Sequence, residues 1–253
     1  MRHSLIAAAL SVVLSSVGAS PVGAAEIIVL SGNGAKAAVA ELAEQFERVT
    51  GHTVTITFQV NPQVHRRIEA GDTCDVAILN PPVLDDLIEQ GRIVAGTRVV
   101  LGRSGIGVGI KEGAPLPDIS TVDAFTQTLL NASSVAYPGE GASGRYFVTV
   151  VDRLGLTTRM RPKMRPMPAE YNVEVVAEGG AELVVVVASR ITGVPGVQLV
   201  GRIPQELQTW IGFTGGVCSV ASQPEAARAM LRFFTAPAAA PVLEAAGIEA
   251  LVE

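Results

Sequence analysis

Aromatic side chains are scarce: one tryptophan, three tyrosines and seven phenylalanines, 4% of 253 residues. Valine, alanine and leucine dominate instead, which suits an α/β protein with buried parallel strands. Basic charge is also short. The formal net charge is −5, and loss of residues 1–25 removes Arg2 and no acid, giving −6. An acidic protein is a poor candidate for nucleic-acid or anionic-membrane binding. Of three histidines, His3 lies at the extreme N-terminus. His52 and His65 have no cysteine or carboxylate at metal-ligand spacing, so no metal site and no cofactor is expected. The serine-nucleophile elbow and the phosphate-binding loop are missing. Gly32-Asn33-Gly34 lacks the third glycine and the acidic follow-up of a dinucleotide fingerprint. Long apolar runs are missing too. Leu5 to Val17 is too short and too serine-rich to span a membrane. With Arg2 and His3 before it and Gly23-Ala24-Ala25 after it, it reads as an export signal over residues 1–25, cleaved near Ala24/Ala25. No cysteine near that point offers a lipid anchor. Cysteine is limited to Cys74 and Cys218. An oxidising compartment permits one disulfide, but nothing in their spacing brings the Cα atoms together, and two buried thiols in separate elements is the expectation.

What is present is a repeated pattern. Ile27 to Leu30 reads as a strand, Ser31-Gly32-Asn33-Gly34 as a polar loop, and about Ala35 to Val49 as a helix. Thr53 to Phe58, Gln59-Val60-Asn61-Pro62 and a helix from about Gln63 to Glu69 repeat the order. In an open α/β sheet such loops lie side by side at the carboxyl edge of the strands, where ligands bind. Helix starts present unpaired N–H groups and partial positive charge, which favour an anion. The pattern points to capture of a small anionic solute.

A third strand, Asp75 to Leu79, leads to a helix over about Val83–Gln90. Arg98–Leu101 and Gly105–Lys111 read as extended, with a crossing around Gly102 and Gly105. A second block follows: a helix over Thr121–Leu130, a strand at Ser134–Tyr137, a glycine-rich loop over Pro138–Gly144 and a helix over Arg145–Leu154. A further helix over Ala169–Glu178 and an apolar strand at Leu183–Val187 complete it. Val197–Val200 and Trp210–Val220 then return as strands, before helices opened by Pro224 and Pro237. The fold class is α/β, with two similar lobes, each a mostly parallel sheet flanked by helices. Lobe I is residues 26–103 plus 196–253 and lobe II is 104–195. Crossings near Leu101–Gly105 and Ser189–Gly196 make a hinge and set the polar loops around one cleft.

Several stretches, in order and spacing, resemble one family. They are Glu41-Leu42-Ala43-Glu44-Gln45-Phe46-Glu47 before Thr50-Gly51, Arg67-Ile68-Glu69-Ala70-Gly71 before Asp75-Val76, Ser143-Gly144 to Leu154-Gly155, and Phe233-Phe234-Thr235-Ala236-Pro237 with Ala246-Gly247. The chain resembles the periplasmic molybdate-binding proteins of ABC importers, within the two-lobed type II solute-binding fold. The resemblance implies a periplasmic, monomeric receptor that passes its ligand to an ABC permease in the inner membrane. The ligand implied is a tetrahedral oxyanion, molybdate or tungstate, held by neutral donors and helix starts rather than as a bare metal. Where the family places a serine in the first loop this chain has Gly34, with Ser31, Gly32 and Asn33 beside it. The second loop offers Asn61. Ser143 and Gly144 take the contact position of the second lobe. A later contact falls at Ala169-Glu170-Tyr171. The family's tyrosine donor is replaced by Val187, with Ser189 close by.

Two cations sit next to these loops, Arg145 after Ser143-Gly144 and Lys36 on the first turn after the first loop. Facing the cleft, either would grip a carboxylate, and the ligand would then be a small organic acid. An enzyme on the same scaffold is the alternative. A partly dry cleft with Tyr137, Tyr171, Lys36 or Ser143 in place would shift a proton on an organic acid, as in an aconitate-isomerase-like reaction. A sensor that signals rather than imports is the third reading.

Overall fold

The computed structural model describes residues 23–168 and 171–251. The expected export signal therefore falls almost wholly outside the described residues, as do Ala169 and Glu170. β1 (Glu26–Gly32) is extended because its branched residues bury on both faces: Ile27, Val29 and Leu30 are inaccessible, and so is Ser31. α1 (Lys36–Thr50) buries Val39, Leu42, Ala43 and Phe46 at helical spacing. It stops at Gly51, whose φ of 73° is left-handed and whose N–H returns to the Glu47 carbonyl at 2.9 Å. β2 (Thr53–Gln59), α2 (Asn61–Glu69), β3 (Val76–Leu79) and α3 (Pro81–Glu89) complete the first third.

β4 (Val99–Lys111) is one unbroken strand where the sequence suggested two. α4 (Val122–Asn131) is capped by Thr121, whose hydroxyl accepts from the Ala124 N–H at 3.1 Å. β5 (Val135–Pro138), α5 (Ala142–Arg153), the short α6 (Thr157–Met160) and β6 (Met164–Met167) follow. Among the described residues, the helix expected over Ala169–Glu178 is helical only as α7 (Glu174–Ala177). Its upstream part is a turn in which the Tyr171 N–H and the Asn172 amide both reach the Pro168 carbonyl, at 3.2 and 3.4 Å. Local bonds of this kind compete with a helix. β7 (Leu183–Val187), β8 (Val197–Arg202), β9 (Trp210–Val217), α8 (Pro224–Phe234), α9 (Ala240–Ala245) and β10 (Glu249–Ala250) end the described chain.

The strands form one curled sheet in the order β2-β1-β3-β9-β4-β7-β5-β6, with β8 and β10 also paired to β4. β1, β2 and β3 are mutually parallel, as are β5, β6 and β7. β9 runs against both β3 and β4. β4 joins the two parallel sections. Val99 to Gly105 pair with β9, and Ile106 to Lys111 pair with β7 and β8. β8 is bonded to Gly107–Lys111 of β4, and β9, which follows it, to Val99–Gly105.

The cysteines are corrected by the fold. Cys74 stands just before β3 and Cys218 just after β9, and antiparallel pairing of those strands brings their Cα atoms to 5.8 Å, in a disulfide. Spacing along the chain could not show this, because the pairing spans 144 residues.

Candidate functional site

The carboxyl ends of the parallel strands in both sections face a pocket of about 60 Å³. A cavity of that size admits an anion of a few heavy atoms. From the first section, Asn33 and Gly34 reach it on the turn after β1, Val60 and Asn61 at the start of α2, and Asn80 before α3. The second section supplies Gly141, Ala142 and Ser143 at the start of α5, then Asn172 and Arg190. One wall is apolar: Val186, Val187, Ile211 and Phe213.

The starts of α1, α2 and α5 carry no side-chain cap, unlike α4. At α1 the Lys36 N–H already bonds the Asn33 carbonyl, and at α2 Pro62 has no N–H and the Gln63 N–H bonds the Val60 carbonyl at 2.9 Å, so the start of α5 is the more open of these helix ends to a ligand. α5 is aimed by a tight contact. A Cβ on Gly144 would fall 1.8 Å from the Pro138 carbonyl oxygen, so only glycine lets the helix begin directly on the end of β5. Ser143 is 8% exposed and lines the pocket. Asn33 also lines it, and its Nδ2 is buried with no hydrogen-bond partner among the described residues.

The decisive residue is one the sequence reading passed over. Arg190 ends a 3-10 turn, Ala188–Arg190, directly after β7. Its side chain is 10% exposed and pairs through Nη2 with both Glu174 carboxylate oxygens, at 3.2 and 3.4 Å. Its Nε is buried in the wall with no partner among the described residues. A buried N–H of a guanidinium left unspent is costly, and Arg190 is the cation that lines this pocket. A cation just past the carboxyl end of a wholly apolar strand is the signal that could have found it, because that edge is where α/β sheets bind ligands.

Asn33, Gly34, Asn61 and Ser143 are brought together in this pocket, and the other expected residues fall elsewhere. Ser31 is fully buried within β1, its hydroxyl directed to the Gly32 carbonyl. Gly32 lies against the Asn61 amide. Gly144 serves the backbone contact already described. The Ser189 hydroxyl donates to the Gly34 carbonyl at 2.7 Å, binding one section to the other. Tyr171 is 38% exposed and donates to Glu178. That bond, then burial and the Glu178 and Glu174 charges, push its hydroxyl above the usual phenol range, so it stays protonated. Lys36 stacks over the Phe58 ring at 5.9 Å and lines a second depression, whose wall also includes Arg190, Glu174 and Ser189. Tyr137 packs edge-on against Phe147. Arg145 lines a neighbouring compartment. Among the described residues no group of three or more His, Cys, Asp or Glu gathers as a metal site.

Two substitutions relative to the molybdate-binding pattern have a physical cause. A Cβ at Gly34 would come within 2.7 Å of the Phe213 ring, so the ring fills the space that a serine would need. Asn61 Nδ2 donates to Asn80 Oδ1 at 2.7 Å, and Asn61 Oδ1 accepts the Asn80 N–H at 2.9 Å. Much of that amide is spent on holding the two helix starts together.

The bacterial extracellular solute-binding protein family model matches residues 27–249, almost the whole described chain. The chain belongs to that family. This solute-binding protein is 36% identical to an aconitate isomerase of a Pseudomonas species over 229 residues, 88% of this chain and 87% of the relative. It is 24% identical to a molybdate-binding protein of Rhodobacter capsulatus, over 90% of each chain. Among solved structures it superposes on the periplasmic molybdate-binding protein of Azotobacter vinelandii with a TM-score of 0.76 at 19% identity, covering 88% of this chain and 98% of that one. The architecture is therefore that of a type II periplasmic binding protein, as the sequence implied.

Proposed function

We infer that the protein is an exported receptor, monomeric and periplasmic, that closes on a small organic carboxylate and presents it to an ABC permease. The observation that carries this reading is Arg190, a buried guanidinium with one N–H unspent beside an apolar wall. A carboxylate answers the guanidinium, and a carbon skeleton answers Phe213 and Val187. Molybdate and tungstate fit less well, since Gly34 and Val187 offer no hydroxyl and the Ser189 hydroxyl is spent. The identity to an aconitate isomerase supports an organic acid as ligand. Isothermal titration with aconitate, citrate, molybdate and sulfate tests the reading. One equivalent of organic acid is expected to bind, unaffected by molybdate. Arg190→Gln is expected to weaken it by about a hundredfold, the worth of a charge-assisted bond in a buried site. Tight molybdate binding with no heat from either acid overturns the reading.

The same relative favours a second reading, turnover of the bound acid. The proton shift would need a base at the pocket. Of the four groups expected from sequence only Ser143 lines it, and the carboxylate at its edge is Glu140. Glu140 would take a proton from the carbon next to the double bond and return it at the far end of the same three-carbon unit, with no net redox change. Proton NMR of cis- and trans-aconitate in D2O tests this. Interconversion with deuterium uptake, lost in Glu140→Gln, is the expected signature, and an unchanged spectrum overturns it.

A further inference from the structure

We propose that the ligand carries at least two carboxylates, and that Arg145 is the specificity-determining residue that reads the outer one. This rests on the organic-acid reading above and adds the number and placement of the charges.

Beside the pocket at Arg190 lies a second compartment of about 280 Å³. The two share Asn61 and Asn80 on one side, Gly141 and Ala142 on the other, and Ile211. A ligand held at Arg190 and too long for the inner cavity would extend past these shared residues, between the α2–α3 starts and the α5 start. Arg145 stands in the wall of that outer compartment. It has no ion pair and no side-chain hydrogen bond among the described residues, whereas the nearby Arg103 and Arg202 both pair with Glu249, at 3.3 and 2.6 Å.

Its position is also electrostatically wrong for a structural role. Arg145 lies in the first turn of α5, its N–H bonded to the Gly141 carbonyl at 3.3 Å. A cation there is opposed by the helix dipole. An anion between Arg145 and the helix start satisfies both at once. The independent sign of a ligand is the unspent Arg190 Nε further in. Trp210 also lines the compartment, with Arg103 and Arg202 over its ring at 4.2 and 4.8 Å. Trp210, Ile211, Pro62, Pro81 and Pro82 give that compartment an apolar wall. It suits the carbon chain between two carboxylates.

The test compares matched acids with one, two and three carboxylates: butyrate, glutarate and tricarballylate. Titration calorimetry is run on wild type, Arg145→Gln and Arg145→Lys, with unliganded melting temperature as the check on folding. Emission of Trp210, the single tryptophan, reports on the outer compartment. In wild type, glutarate and tricarballylate are expected to bind about ten- to a hundredfold more tightly than butyrate, as one further charge-assisted contact predicts. They, and not butyrate, are expected to shift the emission. Arg145→Gln is expected to collapse that preference, and Arg145→Lys to keep part of it. An unchanged ratio of glutarate to butyrate in Arg145→Gln overturns this inference while leaving the organic-acid reading intact. If wild type binds none of the three acids, and neither aconitate nor citrate, the organic-acid reading itself falls.

Discussion

Gly34 and Phe213 occupy one volume between them. A side chain at position 34 and a ring at 213 are mutually exclusive, given a 2.7 Å approach of Cβ to the ring. Gly34→Ser alone is thus expected to cost about 1–3 kcal/mol by overpacking, read as a fall in melting temperature. Phe213→Leu should recover part of that loss in the double variant, a non-additivity that independent sites would not show. If the two changes simply add, the rings and turn are not in the contact described. The pair also illustrates what single residues reveal. Asn33, Gly34, Asn61 and Ser143 were legible as pocket residues because strand-loop-helix order places such loops at one edge. Arg190 was not, since it follows a strand with no polar loop and lies next to Ser189, whose hydroxyl drew attention first. Whether Ser31 faces a pocket or a core depends on the strand ending at Gly32 instead of Leu30, and propensity does not fix strand ends that finely.

At the scale of elements, strands and long helices followed directly from burial and period. Most helix limits moved by one or two residues. The turn at Tyr171–Val173 did not follow, because bonds to the Pro168 carbonyl won over helix propensity. Pairings between strands far apart in sequence were also hidden, and the disulfide with them. Cys74 and Cys218 close a loop of 144 residues at the amino end of β3, whereas Asn80 and the pocket lie beyond its other end. Cys74→Ser is accordingly expected to cost about 2–5 kcal/mol, mostly through the unfolded chain. Ligand affinity should change little, because Leu79 and the following turn are still held by β1 and β9. Denaturant titration and calorimetry on the same variant check the two halves of this statement. A large loss of affinity with little loss of stability would contradict it.

The whole molecule turns on the passage between its sections. Beside that passage the Glu249 carboxylate bridges Arg103 on β4 and Arg202 on β8. Burial raises its pKa, but the bonds and charges of Arg202 and Arg103 outweigh this, and the group lies below the usual glutamate value. A depressed carboxylate contributes stability above the unfolded pKa, about 4.3 for glutamate, and loses it as pH falls through the folded value. The contribution is surface-like and should weaken with salt. Melting temperatures of wild type and Glu249→Gln are therefore expected to differ at neutral pH and converge in acid. A gap that persists at low pH would rule out the ion bridge as its source. Distant strand neighbours were the least legible feature at this scale: β8 pairs with the far half of β4, and its sequence says nothing of that neighbour.

The bond from the Ser189 hydroxyl to the Gly34 carbonyl has a mechanical consequence. It ties the rear of the two halves together independently of the strands that cross between them, and Ser189 is further braced by Ser104, whose hydroxyl accepts its N–H at 3.2 Å. Any opening between the halves must keep this bond as a pivot or break it, and if it is kept the travel is greatest far from it, where Gly141 and Ala142 share a wall with Asn61 and Asn80. The solute would enter through a jaw pinned at its back and not between two bodies drifting apart, so residues that never touch the solute set how wide the jaw gapes.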